Sequence, residues 1–271
     1  MMVDYWAHNS TTFLNCRCPV AVRNLLAVPL RIIFVVITFF STMGGGIFTL
    51  RQSRFEIRFF FAFAAGALLG ISFFDLLPEA ITISMENSVP LDLVMSVVVV
   101  AFLLFHILDR FVVLHALKEG HPEYGLKSSG PIKAAGLSLH SFLDGVAIGA
   151  AFHVGFQLGL IVALAVVFHD FSDGLNTVTV MLRSTREKRT AFTWLLLDSI
   201  TPMLGAIMTF LLAIPIQVIA LILPFFVGEF LYLGAADLLP EAHRQGSSAK
   251  LVIATVLGIS IIFIVTRFLQ I

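Results

Sequence analysis

Apolar residues run through this chain in eight long blocks, roughly 25–50, 58–80, 91–115, 131–153, 156–182, 190–213, 215–240 and 248–270, each bounded by Pro, Gly or charge. A helix needs about 20 such residues to cross ~30 Å of hydrocarbon, so each block is long enough to span a bilayer. Apart from helices, only a closed barrel can satisfy its backbone in lipid. A barrel requires alternation with period two, and runs such as Val97 to Leu104 have none. The pattern predicts an all-α, polytopic transmembrane bundle of eight spans over residues 25–271. Residues 1–24 are polar and irregular and read as a short external segment. They lack the ordered basic region and small-residue cleavage site of a secretory signal.

Composition points the same way. Apolar residues make up 58% and charged residues 13%, with a mean hydropathy of +0.98. Soluble domains are near half apolar and a quarter charged, so this chain has too few polar groups to cover a water-facing surface. Net charge is zero, which offers nothing to nucleic acid. The only two cysteines, Cys16 and Cys18, precede the first block, so no thiolate site lies within a span; idle thiols are the plainer reading of the pair.

Lysines and arginines set the orientation. The breaks after blocks one, three, five and seven carry Arg51, Arg54 and Arg58; Arg110, Lys118, Lys127 and Lys133; Arg183, Arg186, Lys188 and Arg189; and Arg244 and Lys250. The breaks after blocks two, four and six carry none. Positive charge favours the cytoplasmic side, so both termini are expected outside. An internal repeat agrees with this. Asp75-Leu76-Leu77-Pro78-Glu79-Ala80 closes the second block and Asp237-Leu238-Leu239-Pro240-Glu241-Ala242 the seventh. Identical segments on opposite faces are the mark of an inverted repeat, an architecture common among transporters.

The chemistry is concentrated in blocks four and five. His140-Ser141-Phe142-Leu143-Asp144-Gly145 and His169-Asp170-Phe171-Ser172-Asp173-Gly174 share the pattern H-x-F-x-D-G. His and Asp four apart lie on one helical face. At 1.5 Å per residue, His140 stands roughly 14 Å, and His169 roughly 20 Å, from the start of its block, so both pairs lie near mid-membrane. A charged Asp there costs about 2.5–3.5 kcal/mol. Asp144, Asp170 and Asp173 together would cost on the order of 8–10 kcal/mol, as much as a typical domain's whole stability. No Lys or Arg at that depth compensates them. A divalent cation would, since two carboxylates and two neutral imidazoles balance its charge. Imidazole with carboxylate suits Zn²⁺, Fe²⁺ or Mn²⁺, whereas Mg²⁺ and Ca²⁺ prefer oxygen alone. Four N/O ligands also close the tetrahedron zinc favours.

Other polar residues mark a path. Asp75 and Glu79 are expected at the outer mouth, and Asp237, Glu241 and His243 at the inner one. Asp198 and Thr201 lie in block six. His106 reads as a satisfied interior histidine, while His115, His121 and His153 carry no assigned role.

These residues resemble the ZIP (Zrt-, Irt-like) family of divalent metal transporters, in its compact prokaryotic form. The likeness rests on the paired H-x-F-x-D-G motifs, the two D-L-L-P-E-A segments and Ser41-Thr42-Met43-Gly44-Gly45 at the end of block one, and it extends over all eight blocks. It implies that His140, Asp144, His169 and Asp173 form the main transport site. It further implies a 3+2+3 helix arrangement, homodimers, a cell-membrane location (the bacterial inner membrane), and import by alternating access. The cargo it implies is Zn²⁺, with Fe²⁺, Mn²⁺ and Cd²⁺ as alternatives. Ser141, where many members have Asn, and Thr201-Pro202, where some have Glu-Pro, weaken the case for a second metal; Asp170 and Asp198 remain as second-site or supporting groups. An intramembrane zinc hydrolase is the competing reading, though H-E-x-x-H is absent. A proton-coupled carrier of an organic substrate fits paired histidines less well.

Overall fold

The computed structural model describes residues 20–51, 57–118, 122–212, 214–244, 246 and 248–269. Cys16, Cys18 and His121 lie outside the described residues, as does most of the expected N-terminal segment. All regular elements among the described residues are helices, without strands, and eight helical stretches are long and apolar enough to cross a membrane. Span one is Ile32–Arg51, span two Arg58–Glu86, span three Leu91–Phe111 and span four Gly130–Val154. Span five is Phe156–Leu182, span six Lys188–Leu211, span seven Ile216–His243 and span eight Ala249–Phe268.

Spans two and seven run past the D-L-L-P-E-A segments that close their blocks, to Glu86 and His243. Proline lacks an amide donor and its ring crowds the carbonyl four residues earlier. Both helices absorb the defect by widening into one π turn, Ser72–Leu76 before Pro78 and Tyr232–Leu238 before Pro240, and then continue. The two D-L-L-P-E-A copies therefore share their conformation as well as their letters. Helix four likewise begins at Pro122 and carries Pro131 inside it, earlier than the expected start at 131.

Glycine contacts between backbones join the spans in pairs. A methyl group at Gly45 would overlap the Phe171 carbonyl of span five, and one at Gly174 the Thr42 carbonyl of span one. Gly145 and Gly205 meet Pro202 and Phe142 in the same reciprocal way between spans four and six. Gly66 and Gly258 join spans two and eight, and Gly228 seats span seven on Val98 of span three. With no hydrophobic drive between helices in lipid, such close approach is what holds them. The pattern maps onto itself when spans one to three are exchanged with six to eight and span four with five. One–five then becomes six–four, and two–eight becomes seven–three. Spans exchanged in this way have opposite parity, the relation an inverted repeat requires.

Candidate metal centre

Spans four and five meet along the face that bears both H-x-F-x-D-G motifs. His140, Asp144, His169 and Asp173 are all buried, and one ligand atom from each lies within 4.8 Å of the other three. Nε2 of His140 stands 3.1 Å from Asp144 Oδ2 and 4.0 Å from Asp173 Oδ2. Nε2 of His169 is 3.4 Å from Asp144 Oδ2 and 3.6 Å from Asp173 Oδ2. A zinc tetrahedron with bonds of about 2.0–2.1 Å has edges of roughly 3.3 Å, so the spacing suits a cation drawn in from slightly further out.

The polar inventory identifies these atoms as unsatisfied. Nε2 of both histidines, both oxygens of Asp144 and Oδ2 of Asp173 have no hydrogen-bond partner. Buried polar atoms are ordinarily paired, and this group is concentrated at one point. Among the residues whose side chains are described, no Lys or Arg is buried. Each imidazole keeps its other nitrogen occupied. Nδ1 of His169 is 3.0 Å from the Ala165 carbonyl, which can only accept. Nδ1 therefore carries a hydrogen, and Nε2 is the nitrogen that faces the acids.

The expected supporting residues fall into distinct positions. Both oxygens of Asp170 are buried without hydrogen-bond partners, Oδ1 being 3.8 Å from His169 Nε2. Asp198 is not one of the four; it binds together three spans. Ser141 of span four donates to its Oδ1 at 2.8 Å, and Thr177 of span five to its Oδ2 at 2.7 Å. The Thr201 hydroxyl is spent on the Asp198 backbone carbonyl. Thr177→Val would leave Asp198 Oδ2 buried and unpaired, a loss of about 1–3 kcal/mol. A lowered thermal unfolding midpoint in nanodiscs checks this; the same change at Thr179, whose hydroxyl bonds only its own helix, is the control.

The expected mouth residues do not join the central group. Asp75 is buried and accepts a hydrogen bond from Thr266 of span eight. Glu79, Asp237 and His243 are partly exposed. Glu241 pairs with Arg244 at 3.2 Å near the surface, and Nδ1 of His243 bonds the Leu239 carbonyl. His106 stacks edgewise on Tyr232, as an interior histidine does.

One residue at the centre was not anticipated. Glu229 of span seven is fully buried, and its Oε1 lies 3.0 Å from His140 Nδ1. The signal for it was present in the sequence. An acid in the middle of the apolar run from Ile216 to Leu231 carries the same cost that singled out the aspartates.

The family model described as ZIP Zinc transporter matches residues 118–266, which takes in both motifs and the second D-L-L-P-E-A copy. The chain is 31% identical over 130 residues to Zinc transporter SLC39A7 of Rattus norvegicus, covering 45% of this chain and 28% of that protein. It is 24% identical over 154 residues to Zinc transporter zipt-7.2 of Caenorhabditis elegans, covering 54% and 33%. With Zinc transporter ZIP13 of Pongo abelii it shares 26% over 194 residues, covering 68% and 58%. The match thus takes in less than a third of the length of the SLC39A7 relatives. All three are animal proteins, so the expected likeness to compact prokaryotic members is not borne out.

Proposed function

The chain belongs to the ZIP family of zinc transporters, and on that premise we propose that it carries a divalent transition-metal ion, Zn²⁺ foremost, across the bilayer through His140, Asp144, His169 and Asp173. The family is one of transporters, which sets the hydrolase reading aside. The observation that carries the proposal is the convergence of four buried, unpartnered ligand atoms midway along two adjacent spans. An ion entering them exchanges its water for two imidazoles and two carboxylates, and it relieves the burial cost of those acids. Zinc tolerates this exchange because it accepts four N/O ligands; Fe²⁺, Mn²⁺ and Cd²⁺ are the other candidate cargoes.

Import into the cytoplasm is the direction we infer from the acids at the outer mouth, and the basic breaks after the odd spans support both termini lying outside the cell membrane. On this reading Asp75 and Glu79 draw the ion in at the outer face, and Asp237, Glu241 and His243 receive it at the inner one. A 3+2+3 grouping, a homodimer and an alternating-access movement of spans four and five complete the proposal. The test is zinc uptake into proteoliposomes with His140→Ala and Asp173→Ala. Each is expected to reduce initial rates at least about tenfold, and rates equal to wild type in both would refute the reading. Because protons compete with metal for the ligand atoms, uptake is also expected to slow as the external pH is lowered.

A further inference from the structure

The two H-x-F-x-D-G motifs match in sequence but not in how their histidines are held. His169 directs Nδ1 at a carbonyl of its own helix, four residues back. His140 directs its Nδ1 out of its helix to Glu229, 89 residues away on span seven, at 3.0 Å. Glu229 is fully buried and its second oxygen has no hydrogen-bond partner.

We propose that Glu229 is a positioning residue for the metal site: it accepts the Nδ1–H of His140 and so keeps the lone pair of Nε2 turned toward Asp144 and Asp173. The proposal rests on the reading of His140 as a ligand and adds what holds it there. A neutral imidazole has one N–H and one lone pair, and the group on one nitrogen decides which face the other presents. A carboxylate acceptor fixes the ring more firmly than a carbonyl, since hydrogen bonds to an ionised acceptor are shorter and stronger. It also raises the basicity of the coordinating nitrogen. This gives the Glu a reason to be in a run that is otherwise apolar. It also makes the two halves of the site unequal. The span-five histidine is held by span five alone, whereas the span-four histidine is held only while span seven stands beside it.

The opposite arrangement, a protonated Glu229 donating to Nδ1, would place the ring hydrogen on Nε2 and block the site. Full-length protein labelled with ¹⁵N-histidine, zinc-free in lipid nanodiscs, distinguishes the two, with the His140 signals assigned by their loss in His140→Ala. Hydrogen on Nδ1 is expected, whether or not Nε2 also carries one; bare Nδ1 beside a protonated Nε2 would overturn the proposal. Zinc titration gives the second readout. Glu229→Leu is expected to weaken Zn²⁺ affinity about 10–100-fold, and Glu229→Gln, which keeps an acceptor oxygen, to recover most of it. Wild-type affinity in Glu229→Leu would overturn the proposal. If His140→Ala binds zinc normally, the site reading itself fails. If His140→Ala loses zinc while Glu229→Leu does not, only the role of Glu229 falls. Should Glu229→Leu not fold, the tautomer in the wild-type protein decides.

Discussion

Asp144→Asn is expected to raise the unfolding temperature of the zinc-free protein while nearly abolishing its response to zinc. The two effects have opposite signs because the carboxylate has two opposed roles. Its Oδ2 is the acid oxygen closest to Nε2 of both histidines, at 3.1 and 3.4 Å, and neither oxygen has a hydrogen-bond partner. Without metal it is one of several buried acids repelling one another, and making it a neutral amide removes that burden. On the proposed reading it would be one of the metal's ligands. Removing one partner of a buried charge pair costs about 3–5 kcal/mol, which corresponds to a loss of at least about a hundredfold in zinc affinity. A ligand at a hundred times its Kd stabilises a protein by about 2.7 kcal/mol, and in the variant that increment should disappear at the same zinc concentration. Thermal unfolding with and without zinc reads both effects in one experiment. A variant less stable than wild type without zinc, yet still stabilised by it, would show that Asp144 is a structural residue.

The second large effect is expected from one methyl group. In Gly174→Ala the new carbon would overlap the Thr42 carbonyl of span one. Both sides of the contact are backbone, so no side chain can turn aside. Spans one and five must separate, at a cost of about 1–3 kcal/mol for overpacking, and Asp173, the preceding residue, moves with them. Zinc uptake should fall at least about tenfold, with a lower yield of folded protein. Gly136→Ala is the control: nothing stands within 4 Å of its added carbon, and replacing a glycine inside a helix with alanine stabilises by about 0.5–1 kcal/mol. Equal behaviour of the two variants would mean that the one–five contact does not govern the site.

Much of this architecture was legible because lipid leaves so few options. A chain with no water to bond its backbone must form helices, so block lengths alone gave the eight spans. The cost of burying charge then marked His140, Asp144, His169 and Asp173, which the fold brings within reach of one another. The same cost falls on Glu229 in span seven, which the paired motifs do not mark because it stands alone among apolar neighbours. The prolines are a different case. The pattern closes blocks two and seven at their D-L-L-P-E-A segments, yet Pro78 and Pro240 sit just beyond π turns that let each helix continue. Nothing in the residues of one helix reveals that its neighbours will accommodate the extra width. Asp198 illustrates the same limit: its partners Ser141 and Thr177 come from two other spans, and no spacing along the chain announces such a meeting.

The glycine seams bear on how the protein meets bilayers of different thickness. A helix longer or shorter than the local hydrocarbon usually adapts by tilting. Here span four is seated on six and span five on one, carbonyl against glycine, so a tilt imposed at the rim is shared by both members of a couple. Strain from a thin or thick membrane is thus taken up by whole couples leaning, and because the imidazoles and carboxylates face each other across the two couples, their spacing follows how the couples lean.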